Sequence, residues 1–282
     1  MSQHTVTKSG GLKAGRPLHN LPEADQFTPY FIPDRQSAAN LYEDAVDITD
    51  AEFWLQEKAV GEFANLNLLH VLVAAYVRTV AVMPAINRFI SGQRIYARND
   101  ISVIITAAKN ESDRQSARFI KVSLSPSDTV YDVYRKIRSA VQQLKSGNAQ
   151  PAYLPSETVL HLPRPFVKLN FWFLRMLDYF GKLPQSFLES SPYHGSLSIS
   201  SLSVHGARPT YIGLGAFGDL PMTMSISTSQ IQGRRAMSFR VTYDSRIADV
   251  YYFTEAFRFL KQLLHNPALL ELPPERVFED IF

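Results

Sequence analysis

The chain has 282 residues, of which 45% are hydrophobic, 20% charged and 12% aromatic, with no cysteine and a formal net charge of +3. It is long enough to bury a sizeable core, and the missing cysteine excludes a disulfide scaffold, a thiol nucleophile and any cysteine-ligated metal, which fits a cytoplasmic protein. An excess of three positive charges is too small for a phosphate-tracking surface, so nucleic acid is not an expected partner.

Residues 1–25 are polar and rich in glycine, without the apolar stretch of a secretion signal, and read as a flexible arm ahead of a single domain over 26–282. Tyr42 to Thr49 reads as a strand entering a helix over Ala51 to Ala59, with Thr49 or Asp50 as N-cap. Asn65 to Val82 is apolar on most sides and stops at Pro84, as a central core helix would. Arg94 to Ala108 and Phe119 to Leu124 have the β-branched content of strands and are expected to share a sheet. Thr129 caps an amphipathic helix whose apolar positions are Val130, Val133, Tyr134, Ile137, Val141 and Leu144.

The stretch from Ser146 to Pro165 reads as a long loop. Phe166 to Gly181 is the next helix, too short for a membrane span, which needs about 20 apolar residues. It is expected to be buried against the domain or a neighbouring subunit, so a membrane is not the expected partner, and attachment to a membrane surface is the lesser alternative. Strands follow at Gly195 to Ser203, Met222 to Ile231 and, after a turn at Gly233, Met237 to Tyr243. A last helix over Tyr251 to His265 ends before Pro267. The mixture without βαβ alternation predicts an α+β fold, mainly antiparallel.

Phosphate-loop, dinucleotide, zinc-helix and nucleophile-elbow motifs are all absent, and no metal is expected. Seven histidines are scattered along the chain. His70 reads as a buried, hydrogen-bonded core residue. His194 and His205 stand out because they flank the serine-rich strand, although a histidine earns a catalytic role only through a partner and a pocket.

The order of segments resembles a known family. The stretches DAVDITDAEFW, NLNLLHVLVAAYVRTVAVMPAINRF, SLSISSLS and FRVTYDSRIADVYYFTEAFRFLKQLLHNPALLELP look like the catalytic domain of the acyltransferase core subunits of 2-oxo acid dehydrogenase complexes, a superfamily that includes chloramphenicol acetyltransferase. The resemblance runs over roughly Tyr42 to Pro273, without lipoyl or subunit-binding domains, like a short stand-alone branch. It implies a mixed sheet flanked by helices, assembly as a homotrimer, and transfer of an acyl group from an acyl-CoA or other thioester to an unidentified small-molecule acceptor, with coenzyme A as substrate.

The family's signature is His-x-x-x-Asp-Gly before the last helix, its histidine acting as general base and a Ser or Thr hydroxyl stabilising the oxyanion. Placed by its flanks, the signature puts Ser245 at the histidine, Asp249 at the aspartate and Val250 at the glycine. Thr210 falls near the oxyanion hydroxyl, and Arg35 is the implied partner of Asp249. A serine hydroxyl cannot accept a thiol proton as imidazole does near neutral pH, and a positioned general base is worth about 10²–10⁴ in rate. Two expectations follow: an acyltransferase whose base is replaced by His205, His194 or Asp244, or a catalytically inactive trimeric scaffold or small-molecule binder.

Overall fold

The computed structural model describes residues 12, 14–108, 117–146, 161–201, 208–231 and 233–281. A six-stranded sheet has the order β2-β9-β8-β7-β5-β6, built from β2 (Ala39–Asp47), β5 (Ile101–Ala108), β6 (Ala117–Leu124), β7 (Leu197–Ser201), β8 (Met222–Ile231) and β9 (Arg234–Asp244). β7 runs parallel to both β5 and β8, and the other pairings are antiparallel, so the sheet is mixed.

The sequence alternation decides what each face of this sheet meets. Val103, Ile105, Leu197, Ile199, Met222, Met224, Phe239 and Val241 stand on one face and enter the main core. That core is closed by α2 (Thr49–Lys58), α3 (Leu68–Val82), α4 (Val130–Lys145) and α7 (Val250–His265). The opposite face is lined with hydroxyls, among them Ser102, Thr223, Ser225 and Thr242, all buried. Ser225 Oγ donates to the Thr210 carbonyl and Thr223 Oγ1 to the Ile212 carbonyl, so the segment before β8 covers this polar face and satisfies part of it.

α3 is buried on nearly every side, as its all-round apolar sequence requires, and packs against α4 and α7. Asn67 caps it: its side chain accepts from the Leu69 N–H, while His70 Nδ1 accepts from the Asn67 N–H at 3.2 Å. His70 is 7% exposed. Burial pushes its imidazole down from the usual 6.5 to about 4, and the accepting Nδ1 requires the neutral ring. The unfolded chain therefore takes up a proton near pH 6.5 that the folded chain refuses until about pH 4, so stability is lost as the pH falls through this window. The expected loss approaches about 3 kcal/mol at the acid end, and His70→Gln should flatten that limb when urea midpoints are followed against pH.

Three regions differ from the sequence expectation. Residues 14–25 are not a loose arm: β1 (Gly15–Pro17) pairs with β4 (Arg94–Arg98), and α1 (Glu23–Phe31) follows. β4 also pairs with β3 (Phe89–Ser91), so the Arg94 to Ala108 stretch divides between this small three-stranded sheet and the large one. α5 (Arg164–Tyr179), expected to be buried against the domain or a neighbouring subunit, has no buried side chain within the single chain, and the short α6 (Gln185–Ser190) follows it. Among the described residues no helix is long and apolar enough to cross a membrane.

Candidate functional site

β9 ends at Asp244, and the chain turns through Ser245 to Asp249 before α7 begins. The Ser245 N–H and Oγ–H both donate to the Ala38 carbonyl, at 3.0 and 2.9 Å, which fixes the turn against the start of β2. Asp244 (3% exposed) and Arg246 (4% exposed) form a bidentate pair, with Nε to Oδ1 at 2.9 Å and Nη2 to Oδ2 at 2.7 Å. Arg246 Nη1 also donates to the carbonyls of Ile32 and Pro33 at 3.1 Å each. A buried charge pair is tolerated when its remaining donors are satisfied in this way.

Asp249 does not pair with Arg35. It is exposed and caps α7, its Oδ1 accepting from the Tyr252 N–H at 2.7 Å. Arg35 instead donates to the carbonyls of Gly215 and Gly218, at 3.0 and 2.8 Å, and to that of Leu220. It thereby shapes the segment over 215–220, and the Asp244 N–H donating to the Pro221 carbonyl at 2.9 Å joins that segment to the motif turn. Gly218 has φ +94°, a conformation that disfavours other residues, and a side chain there would run into the Tyr193 carbonyl.

The segment leads on to a second cluster. Gly218 N–H donates to Asp178 Oδ2 at 3.0 Å, and Asp178 Oδ1 lies 3.0 Å from His194 Nε2, whose Nδ1 lies 2.7 Å from Ser191 Oγ. Ser191, His194 and Asp178 thus stand in the order of a catalytic triad. However, Ser191 is fully buried and His194 is 2% exposed, so the hydroxyl is shut away from any substrate. With both ring nitrogens engaged, the imidazole braces the Asp178 end of α5 against the entry to β7. Asp219 adds to this brace by accepting from the Gly195 N–H at 3.0 Å and pairing with Arg98 at 3.0 Å. Burial alone would raise the Asp219 carboxyl, but Arg98 and His194 outweigh it and hold the group below its usual range. Lys121 donates to the carbonyls of Leu188 and His194, both at 2.6 Å, and burial pushes its amine down to about 8.

The remaining residues singled out from the sequence fall elsewhere. Thr210 is exposed and meets the sheet through its carbonyl, which takes the Ser225 hydroxyl. His205 lies outside the described residues. Arg246, Asp178, Ser191, Asp219, Arg98 and Lys121 were not anticipated as a site, because no spacing in the sequence joins residues that come from a turn, two helix ends, a loop, a strand end and the middle of a strand. Among the described residues no group of three or more His, Asp or Glu stands together as a metal site would require.

No family model and no curated protein matches the sequence. Solved structures do match. The dihydrolipoamide acetyltransferase of Azotobacter vinelandii, in which a serine, a histidine and an asparagine have been investigated for their role in catalysis, is 15% identical with a TM-score of 0.56, over 90% of this chain and 94% of that one. The fold is that of the acyltransferase cores. A truncated catalytic core of the 2-oxoacid dehydrogenase complex from Thermoplasma acidophilum is 12% identical with a TM-score of 0.56, over 89% and 97% of the two chains. A chloramphenicol acetyltransferase is 12% identical with a TM-score of 0.54, over 87% and 96%. The acyltransferase fold thus extends over nearly all of both partners in each comparison, with the sequences diverged to the level at which only the fold is shared.

Proposed function

We propose that this chain is a non-catalytic protein on the acyltransferase fold, a homotrimeric scaffold or small-molecule binder. The observation that carries the reading is the hydrogen bond from Ser245 Oγ to the Ala38 carbonyl: where the resemblance calls for a proton acceptor, the side chain is a hydroxyl already donating its own proton to the backbone. Two groups named as substitute bases are committed as well, Asp244 to Arg246 and His194 to Asp178 and Ser191. Acyl transfer from an acyl-CoA to an unidentified acceptor is the competing reading, supported by the fold and left with His205 as its base.

The non-catalytic reading predicts a particle of three protomers by light scattering, and saturable binding of CoA, acetyl-CoA or another small molecule with the bound molecule recovered unchanged. A monomer that binds none of a panel of thioesters, thiols, amines and alcohols would contradict it.

A further inference from the structure

We infer that α5 is a membrane-surface element that docks this protein on anionic lipid. The helix has 16 residues and none of its side chains is buried. Phe166, Leu169 and Phe173, with Phe180 at its C-terminal end, recur at helical spacing along one side, and all four are exposed. Arg164, Lys168 and Arg175 fall on the opposite side by the same periodicity, all exposed. Trp172, 61% exposed, stands between the two sides, the position an indole takes at the level of lipid headgroups. Such a helix, amphipathic and basic with aromatics on the apolar side, lies in a bilayer interface without crossing it.

Charge selects the partner. Between His161 and Pro184 the cations are Arg164, Lys168, Arg175 and Lys182, all exposed, while the single acid, Asp178, is turned inward onto His194 and the Gly218 N–H. A two-fold pairing would set this helix against its own positive charge, whereas anionic headgroups complement it, and long basic side chains can reach phosphates past the flank of a helix.

The mounting suits the task too. Among the described residues, side-chain hydrogen bonds hold only the last turn of the helix to the body. Ser91 Oγ donates to the carbonyls of Asp178 and Tyr179 at 3.1 Å, and the Asp178 carboxylate meets Gly218 and His194. Among the described residues nothing buries the side of the earlier turns that carries Phe166, Leu169 and Phe173.

The test is co-sedimentation of the full chain with vesicles of phosphatidylglycerol and phosphatidylcholine, against phosphatidylcholine alone, with tryptophan emission recorded in parallel. Binding should require the anionic lipid, weaken with salt and shift the emission to the blue. The shift should vanish in Trp172→Phe, because the other tryptophan, Trp54, is half-buried with Nε1 donating to Glu271. Lys168→Gln and Arg175→Gln should each weaken binding about fivefold, and the exposed double variant Leu169→Ser/Phe173→Ser more than that, with far-UV circular dichroism unchanged. Failure to bind anionic vesicles, or binding indifferent to the double variant, overturns the proposal. So does a double variant that alters only the oligomeric mass in solution, which would give this face to a second copy.

Discussion

Asp244→Ala should destabilise the protein by about 3–5 kcal/mol, because it leaves the buried Arg246 guanidinium without its counter-charge. In a chain of this size such a loss corresponds to a fall in Tm of roughly 10 °C. Asp244 accepts both arms of the Arg246 fork, and Arg246 in turn carries the carbonyls of Ile32 and Pro33, so the substitution loosens the turn, the end of β9 and the segment before β2 together. Asp249→Ala removes only an exposed helix cap, which costs about 1 kcal/mol. Urea unfolding of the two variants side by side decides which carboxylate supports the motif turn. A larger loss at Asp249 than at Asp244 would contradict the pairing described here. Because both members of the pair are buried, Arg246→Met combined with Asp244→Ala should lose less than the sum of the single changes.

The second large effect is expected at Ser245. Ser245→His keeps the backbone bond to the Ala38 carbonyl, which the N–H makes, and gives up the bond made by Oγ. It places an imidazole at the end of β9, on a half-buried residue, where a serine hydroxyl can neither accept a thiol proton nor return it. CoA release from acetyl-CoA in the presence of a thiol acceptor should rise above that of the native protein, with an upper bound of about 10²–10⁴, the usual contribution of a positioned general base. The rate should fall below about pH 6.5 as the new imidazole protonates. Ser245→Ala should stay at the native level. An equal rate in the alanine and histidine variants would remove position 245 from any role in acyl transfer.

Much of the fold is legible in the sequence because burial imposes a period. The β-strands of the large sheet alternate apolar residues with Ser and Thr, α4 and α7 repeat theirs every three to four residues, and α3 is apolar all round up to a proline, so these elements are found close to their observed bounds. The resemblance adds the mixed sheet, which alternation alone reads as mainly antiparallel. β1 and β3 have three residues each, too few for any period to show, and β1 hides in a stretch whose glycines suggest a loose arm. In α5 the amphipathic pattern announces a helix, yet it says nothing of what covers the apolar side, and among the described residues nothing buries it.

The candidate site was less legible, for a different reason. Asp244 and Arg246 pair across a tight turn two residues apart, and Asp178 meets His194 only after the helix end returns to the start of β7. Neither contact leaves a mark in spacing. The resemblance placed a carboxylate–arginine pair at Asp249 and Arg35, whereas the structure uses a pair one turn earlier and sets Arg35 to holding the carbonyls of Gly215, Gly218 and Leu220.

We propose that the acyltransferase fold is retained here in a non-catalytic protein, with no working base at position 245 and none elsewhere in its place. The initial rate of CoA release from acetyl-CoA by the native protein, measured with thiol, amine and hydroxyl acceptors, tests it most directly. The rate is predicted to equal that of buffer with every acceptor. Turnover by the native protein that a single His205→Ala substitution abolishes would contradict the claim.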